Sequence, residues 1–177
     1  SKSDHGTINF KVTYTVFEET LAIDYFASSS TKTYLSLTNH SYFNLSGNPE
    51  QTIKPHYLKL NCSHFVRLDH ESLPTELIEI DKSALDFSSE KLLKDVIESD
   101  APDIRSASGI DHPFKCSSSD CTAILKDNAT GRMLQVGTTQ PYVIVYSGNF
   151  LHSAISTSGK LLKQFSGICF ETQDLPN

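Results

Sequence analysis

The sequence predicts an all-β protein, an antiparallel β-sandwich of the two-sheet kind with one short helix. Three observations carry that expectation. Apolar and polar residues alternate with period two in several segments, as in half-buried strands. Turn-forming residues interrupt those segments about every ten residues, the spacing of a sandwich. Only one stretch, 88–98, has helical spacing.

The elements follow in order. Ile8, Phe10, Val12, Tyr14 and Val16 alternate with Asn9, Lys11, Thr13 and Thr15. Glu18-Glu19 turns the chain, and Leu21, Ile23 and Tyr25 alternate again. Ser28-Ser29-Ser30 makes a second turn, after which Thr33, Leu35 and Leu37 read as the inner face of a third strand. The three form a meander whose last strand delivers the chain to Asn39 and His40. Shorter apolar patches follow at 57–60, 65–68 and 77–80. The helix runs over 88–98: Ser88 or Ser89 can cap it, and Leu92/Val96 and Leu93/Ile97 stand one turn apart. Residues 100–108, with Pro102 and small polar residues, read as a loop. Strands resume at 122–126 and 132–138, joined by a hairpin at Asp127-Asn128-Ala129-Thr130-Gly131. Tyr142–Tyr146 is a short apolar strand and 167–172 the last.

Composition narrows the function. A chain of 177 residues suits one domain, 1–177, and can bury roughly 70% of its unfolded surface without disulfides or structural metals. The net charge is −6 with three arginines, Arg67, Arg105 and Arg132, so there is no basic stripe for nucleic acid, and phosphorylated ligands are disfavoured. The cysteines, Cys62, Cys116, Cys121 and Cys169, form no CxxC pair and read as free thiols of a reducing, cytoplasmic compartment. No apolar run is long enough for a membrane span, and no signal peptide opens the chain. Sequons at Asn39, Asn44, Asn61 and Asn128 would allow secretion, but a Ser/Thr-rich chain generates such triplets by chance.

Three polar clusters sit beside predicted strands: Asn39-His40-Ser41-Tyr42-Phe43-Asn44, Gly109-Ile110-Asp111-His112-Pro113-Phe114, and Gly167-Ile168-Cys169-Phe170-Glu171-Thr172-Gln173. A lone carboxylate such as Glu171 in an apolar strand is costly unless paired or used. Structural readings stand beside this: His40 as a hydrogen-bonded core histidine, Asp111 as a turn cap, Glu171 as an exposed edge residue. Tyr42 could offer a ring to a ligand, whereas Phe43 reads as core. No HxH, HExxH, GxSxG or phosphate loop is present, so no metal or other cofactor is expected.

Together these stretches resemble the aldose 1-epimerase (galactose mutarotase) family. "TNHSYFNLSG" (38–47) resembles the family signature, "GIDHPF" (109–114) its Gly-x-Asp-His block, "TTQP" and "YSGNFL" (138–141, 146–151) the next block, and "GICFETQDLPN" (167–177) the segment with its catalytic glutamate. "LPTELIEI" and "ALDFSS" are weaker echoes in the same order. The resemblance implies a mutarotase-type β-sandwich that interconverts α and β anomers of free aldohexoses such as galactose or glucose by acid–base ring opening. It implies Glu171 as general base, His40 as general acid and Asp111 as the group that binds sugar hydroxyls. The expected partner is a small sugar, with no nucleic acid and no membrane.

The chain also departs from the family. An upstream block with a second active-site histidine and a sugar-binding arginine has no counterpart here, and the family continues beyond the glutamate segment. A sugar-binding glutamine often stands where this chain has Ile144, and Pro113 and Glu76 are unusual for their blocks. A fragment of a longer epimerase and a shortened, inactive sugar-binding relative are both expected alternatives. Either would expose strand edges through which the chain could self-associate. A hexose-6-phosphate epimerase on the same fold is a further alternative, but it needs cations for the phosphate.

Overall fold

The computed structural model describes residues 6–69, 71, 73–117, 120–156 and 159–175. The chain divides into two compact units, Ser1–Leu37 and Thr38–Asn177.

The first unit is a hairpin. Strands β1 (Ile8–Phe17) and β2 (Thr20–Ser29) pair antiparallel over their whole length, from Ile8 opposite Ser29 to Phe17 opposite Thr20. The tight turn is absorbed at Glu18, whose φ is +50°. Period-two alternation puts Phe10, Val12, Tyr14 and Val16 on one face, directly opposite Ala27, Tyr25, Ile23 and Leu21. The third strand expected over 33–37 does not form; residues 32–42 carry no regular structure. The alternation there is only three residues deep and finds no ladder partner, and Tyr34 is 88% exposed.

The second unit holds two antiparallel sheets. One contains β4 (Cys62–Leu68), β5 (Pro74–Glu79), β7 (Asp111–Cys116), β10 (Tyr142–Tyr146) and β11 (Cys169–Gln173), in the order β11-β10-β7-β4-β5. The other contains β3 (Tyr57–Leu60), β6 (Lys91–Leu92), β8 (Ala123–Asp127) and β9 (Arg132–Val136), in the order β6-β3-β8-β9. Leu58, Leu60 and Leu125 of the second sheet join Phe65, Phe114, Val143 and Val145 of the first in one buried core. Phe87 meets Phe114 edge-on at 6.1 Å inside it. This is the sandwich that the alternation predicted.

The helices differ from expectation. Helix α1 is only Leu93–Ile97, because Lys91 and Leu92 are taken by the edge of β3 as β6. Ser88 caps nothing; its hydroxyl donates to Asp86 Oδ1 at 2.6 Å. A second helix, α2 (Pro102–Ala107), replaces the expected loop. Pro102 is its first residue, a position that needs no N–H and suits the fixed φ of proline. Ser108 ends it in the left-handed conformation. Both helices seal the core, through Leu93, Val96, Ile97 and Ile104. The four cysteines are free. No helix among the described residues is long and apolar enough to cross a membrane.

Candidate functional site

The motif at 38–47 is held by its own side chains. Asn39 Oδ1 accepts from the Ser41 N–H at 3.0 Å. The Asn44 amide donates to the Gln51 and Ser166 carbonyls at 2.8 and 2.9 Å, and its Oδ1 accepts from Ser46 N–H at 3.0 Å. Leu45 is gripped at both ends of its peptide: its N–H donates to His56 Nε2 at 2.9 Å, and its carbonyl accepts from Thr130 Oγ1 and Arg132 Nη1, each at 3.0 Å. Gly47, at φ +73°, turns the chain away. Phe43 then exchanges two backbone hydrogen bonds with Ile168, at 2.8 and 3.0 Å, which fastens the motif beside the start of β11. Phe43 also packs on Phe170, with ring centroids 6.4 Å apart, so its reading as core holds.

A second support lies under Asp111. Gly109 has φ +143°, and a Cβ there would stand 2.3 Å from Asn149 Oδ1. Asn149 is fully buried; its amide donates to the Ala107 and Ile110 carbonyls at 2.8 and 3.2 Å, and its Oδ1 accepts from Ser147 Oγ at 2.5 Å. Ser147 Oγ in turn accepts from the Ile110 N–H at 2.9 Å. This closed polar network fixes where β7 begins, and hence where Asp111 stands.

Strand register does the rest. Asp111 lies opposite Tyr146, which lies opposite Cys169; one step along, Pro113 lies opposite Ile144, which lies opposite Glu171. Both rows face the same side of the sheet. All of them but the buried Cys169 line a cleft of about 320 Å³, together with His40, Leu68, Phe150 and Gln173. That is the lower end of the range for small-molecule pockets, large enough for a monosaccharide.

The three residues singled out in the sequence therefore meet in one cleft. His40 Nε2 is 3.3 Å from Glu171 Oε1, with His40 half exposed and the glutamate side chain 13% exposed. Burial raises the Glu171 carboxyl above the usual range; His40 opposes that and Asp111 adds to it. Burial also raises Asp111, again against the pull of His40. Carboxylates raised this way are stronger bases than free ones. Asp111 opens a strand rather than capping a turn, and Glu171, though on the edge strand β11, is mostly covered.

Sequence reasoning offered the Tyr42 ring to a ligand but assigned no role to Tyr146 or Cys169, which also shape the site. Tyr42 and Tyr146 pack around the His40 ring, with centroids 5.0 and 6.1 Å away. Cys169 Sγ lies 3.4 Å from His40 Nδ1, so the ring is held between thiol and carboxylate. The signal was available: Cys169 and Glu171 are two apart on one strand, as are Ile144 and Tyr146, and so share a face. His112, by the same alternation, turns into the core. It is 3% exposed, and burial pushes its imidazole down to about 4.

Among the described residues, His40, Cys169 and Glu171 have potential metal-ligand atoms within 4.8 Å of one another. The two ring nitrogens of His40 face different partners, and burial holds the Cys169 thiol far above its ordinary value. A thiolate ligand would have to overcome that. Among the described residues, the cleft lining contains no Lys or Arg. Arg67 is paired with Asp103 at 2.9 Å and Glu76 at 3.1 Å, and Arg132 with the Leu45 carbonyl. Nothing in the lining therefore favours a sugar phosphate.

A sequence profile described as Aldose 1-epimerase matches residues 2–177. The chain is 35% identical over 181 residues to an aldose 1-epimerase of Haemophilus influenzae, covering 97% of this chain and 52% of that protein. It is 32% identical to the galactose mutarotase of Sus scrofa, covering 97% and 50%. Among solved structures, the galactose 1-epimerase of Lactobacillus acidophilus superposes with a TM-score of 0.85 at 29% identity, covering 97% of this chain and 50% of that one. The chain thus spans about half the length of the relatives it matches. With the motifs in order, the sandwich shared and the profile matched along nearly every residue, this chain belongs to the aldose 1-epimerase family.

Proposed function

We propose that the chain interconverts the α and β anomers of a free aldohexose, such as galactose or glucose, by acid–base ring opening. The observation that carries this is the 3.3 Å approach of His40 Nε2 to Glu171 Oε1, in a cleft that also contains Asp111. Ring opening moves protons at two oxygens bonded to the same carbon, so its acid and base must be close neighbours.

Glu171 takes the proton of the C1 hydroxyl. The freed electron pair forms the carbonyl as the C1–ring oxygen bond breaks, and the ring oxygen takes its proton from His40. The C1–C2 bond rotates, and the hydroxyl adds to the other face of the aldehyde while both protons return. Each transfer typically contributes about 10²–10⁴-fold. The raised carboxyl of Glu171 suits a base working near neutrality. Asp111 accepts hydrogen bonds from sugar hydroxyls and fixes the pose. Tyr42 and Tyr146 confine the His40 ring, so its proton is delivered in one direction.

Polarimetry tests this. Fresh α-D-galactose should approach anomeric equilibrium faster with the chain than without it, and His40→Ala should abolish the acceleration. A His40→Ala protein that remains folded and as active as the parent would refute the assignment.

A further inference from the structure

Two cysteines outside the cleft face each other. Cys62 opens β4 and Cys116 ends β7, and the two stand directly opposite in the ladder; its register shift comes after them, between Cys62 and His64. One residue outside the pair, the Ser117 N–H donates to the Asn61 carbonyl at 3.0 Å. The Cys116 N–H donates elsewhere, to the Pro141 carbonyl at 2.9 Å. Cys62 and Cys116 are therefore a non-hydrogen-bonded pair, the kind whose Cα atoms lie about 4.5 Å apart and whose side chains come closest. A disulfide needs Cα atoms about 4.4–6.8 Å apart. Both side chains lean on the core from one face of the sheet, and their thiols are hydrogen-bonded to each other.

The two thiols are unlike. Cys62 is buried and Cys116 half-buried, so a reagent meets Cys116 first. The hydrogen bond from Cys62 holds the Cys116 thiol below its usual value against burial, and a second one from Thr122 adds to that. The same pairing, with burial, pushes Cys62 far up. Cys116 is thus the nucleophile of the pair. Once its sulfur is bonded, the pairing that held the Cys62 proton is gone, and Cys62 stands behind it as the resolving thiol.

We infer that Cys62 and Cys116 are a modification site, a dithiol that low-molecular-weight disulfides of the glutathione kind close reversibly into a cross-strand disulfide. The Cys116 thiolate attacks one sulfur of the disulfide RSSR; that S–S bond breaks, and one RS⁻ leaves and takes a proton from water. Cys62 then gives its proton to solvent and attacks the Cys116 sulfur, expelling the second RS⁻. Two protein thiols are oxidised by two electrons, one RSSR is reduced to two RSH, and the protons balance. An excess of RSH runs both steps backward.

The test is incubation of the reduced chain with oxidised glutathione, then alkylation of the remaining thiols in urea, intact mass and peptide mapping. The expected product has lost two hydrogen atoms, carries a bond between Cys62 and Cys116, leaves Cys121 and Cys169 alkylated, and returns to free thiols in dithiothreitol. Because the bond ties two distant positions of the unfolded chain, it should also raise the melting temperature by about 5–10 °C. In Cys62→Ser nothing resolves the first step, so one glutathione stays on Cys116. In Cys116→Ser the buried Cys62 stays free. A bond from Cys116 to Cys121 or between two copies overturns the inference. So does a folded chain that keeps all its thiols while the urea-unfolded chain oxidises under the same glutathione. A mapped Cys62–Cys116 bond that lowers the melting temperature overturns it too, since the ladder would then have to distort to accept it.

Discussion

His112 should make the fold sensitive to mild acid, by an amount that can be worked out. It lies on the core side of β7, edge-on to Phe65 at 5.8 Å, and its Nδ1 accepts the Asp111 N–H at 3.1 Å. Burial lowers its imidazole from 6.5 to about 4. Between those values the unfolded chain binds a proton that the folded chain refuses. Stability is therefore complete above 6.5 and drains as pH falls toward 4. At about 1.4 kcal/mol per pH unit the gap is worth about 3 kcal/mol, a large share of the 5–15 typical of a domain. With a urea slope of about 2 kcal/mol/M the unfolding midpoint should fall by about 1.5 M. The comparison is His112→Asn, whose Oδ1 can accept the same N–H and does not titrate. Losing the contact with Phe65 should cost this variant about 1 kcal/mol at neutral pH. Its urea midpoint should then fall less than the parent's across a series from about pH 7 to about pH 4. Titration of Asp111, Glu171 and His56 is common to both proteins and drops out of the difference. Parallel curves would refute the reasoning, since His112 would then titrate alike folded and unfolded.

Glu171→Gln should lower the catalysed rate about 10²–10⁴-fold. The same change should raise the urea midpoint at neutral pH: the raised carboxyl stabilises the fold while protonated, and that contribution is lost as pH rises through its folded value. A Gln variant that is both inactive and less stable at neutral pH would contradict this sign. Gly109→Ala should cost about 2–4 kcal/mol in thermal unfolding, because the new Cβ meets Asn149 Oδ1 at 2.3 Å in a backbone conformation unsuited to alanine. An unchanged midpoint would mean that Asn149 can move aside.

The strand Tyr142–Tyr146 is legible to the residue, and Tyr57–Leu60 is legible as an apolar patch with the bounds of the strand it forms; each is bounded by turn residues and pairs on both sides. Local pattern failed where a tertiary partner decided the outcome. Lys91 and Leu92 have helical spacing with Val96, yet the open edge of β3 claims them. Leu35 and Leu37 alternate like a strand but find no neighbour to pair with. Pro102 ends a helix in mid-chain and starts one at the first turn, and composition alone does not separate the two cases. His40, Asp111 and Glu171 could be nominated from chemistry and resemblance. Their meeting could not, since it depends on the Phe43–Ile168 bridge and on the register of β10 between two strands. The hold of Cys169 on His40 spans 129 positions and leaves no local trace.

The pocket sheet separates two kinds of change. On β7, β10 and β11, residues 111, 113, 144, 146, 169, 171 and 173 face the cleft or its wall, while 112, 114, 143, 145 and 170 face the core. Parity along the strand thus decides whether a substitution is felt as chemistry or as folding. Positions such as 144 and 173 can vary in polarity without disturbing Val143, Val145 or Phe170, so the ligand can drift while the scaffold stays put. A single-residue insertion within β10 does the reverse. It would carry Val145 and Val143 into the cleft and push Ile144 and Tyr146 into the core, erasing ligand preference and packing in one step. What the cleft accepts can therefore change by point substitution, but not by changes in strand length.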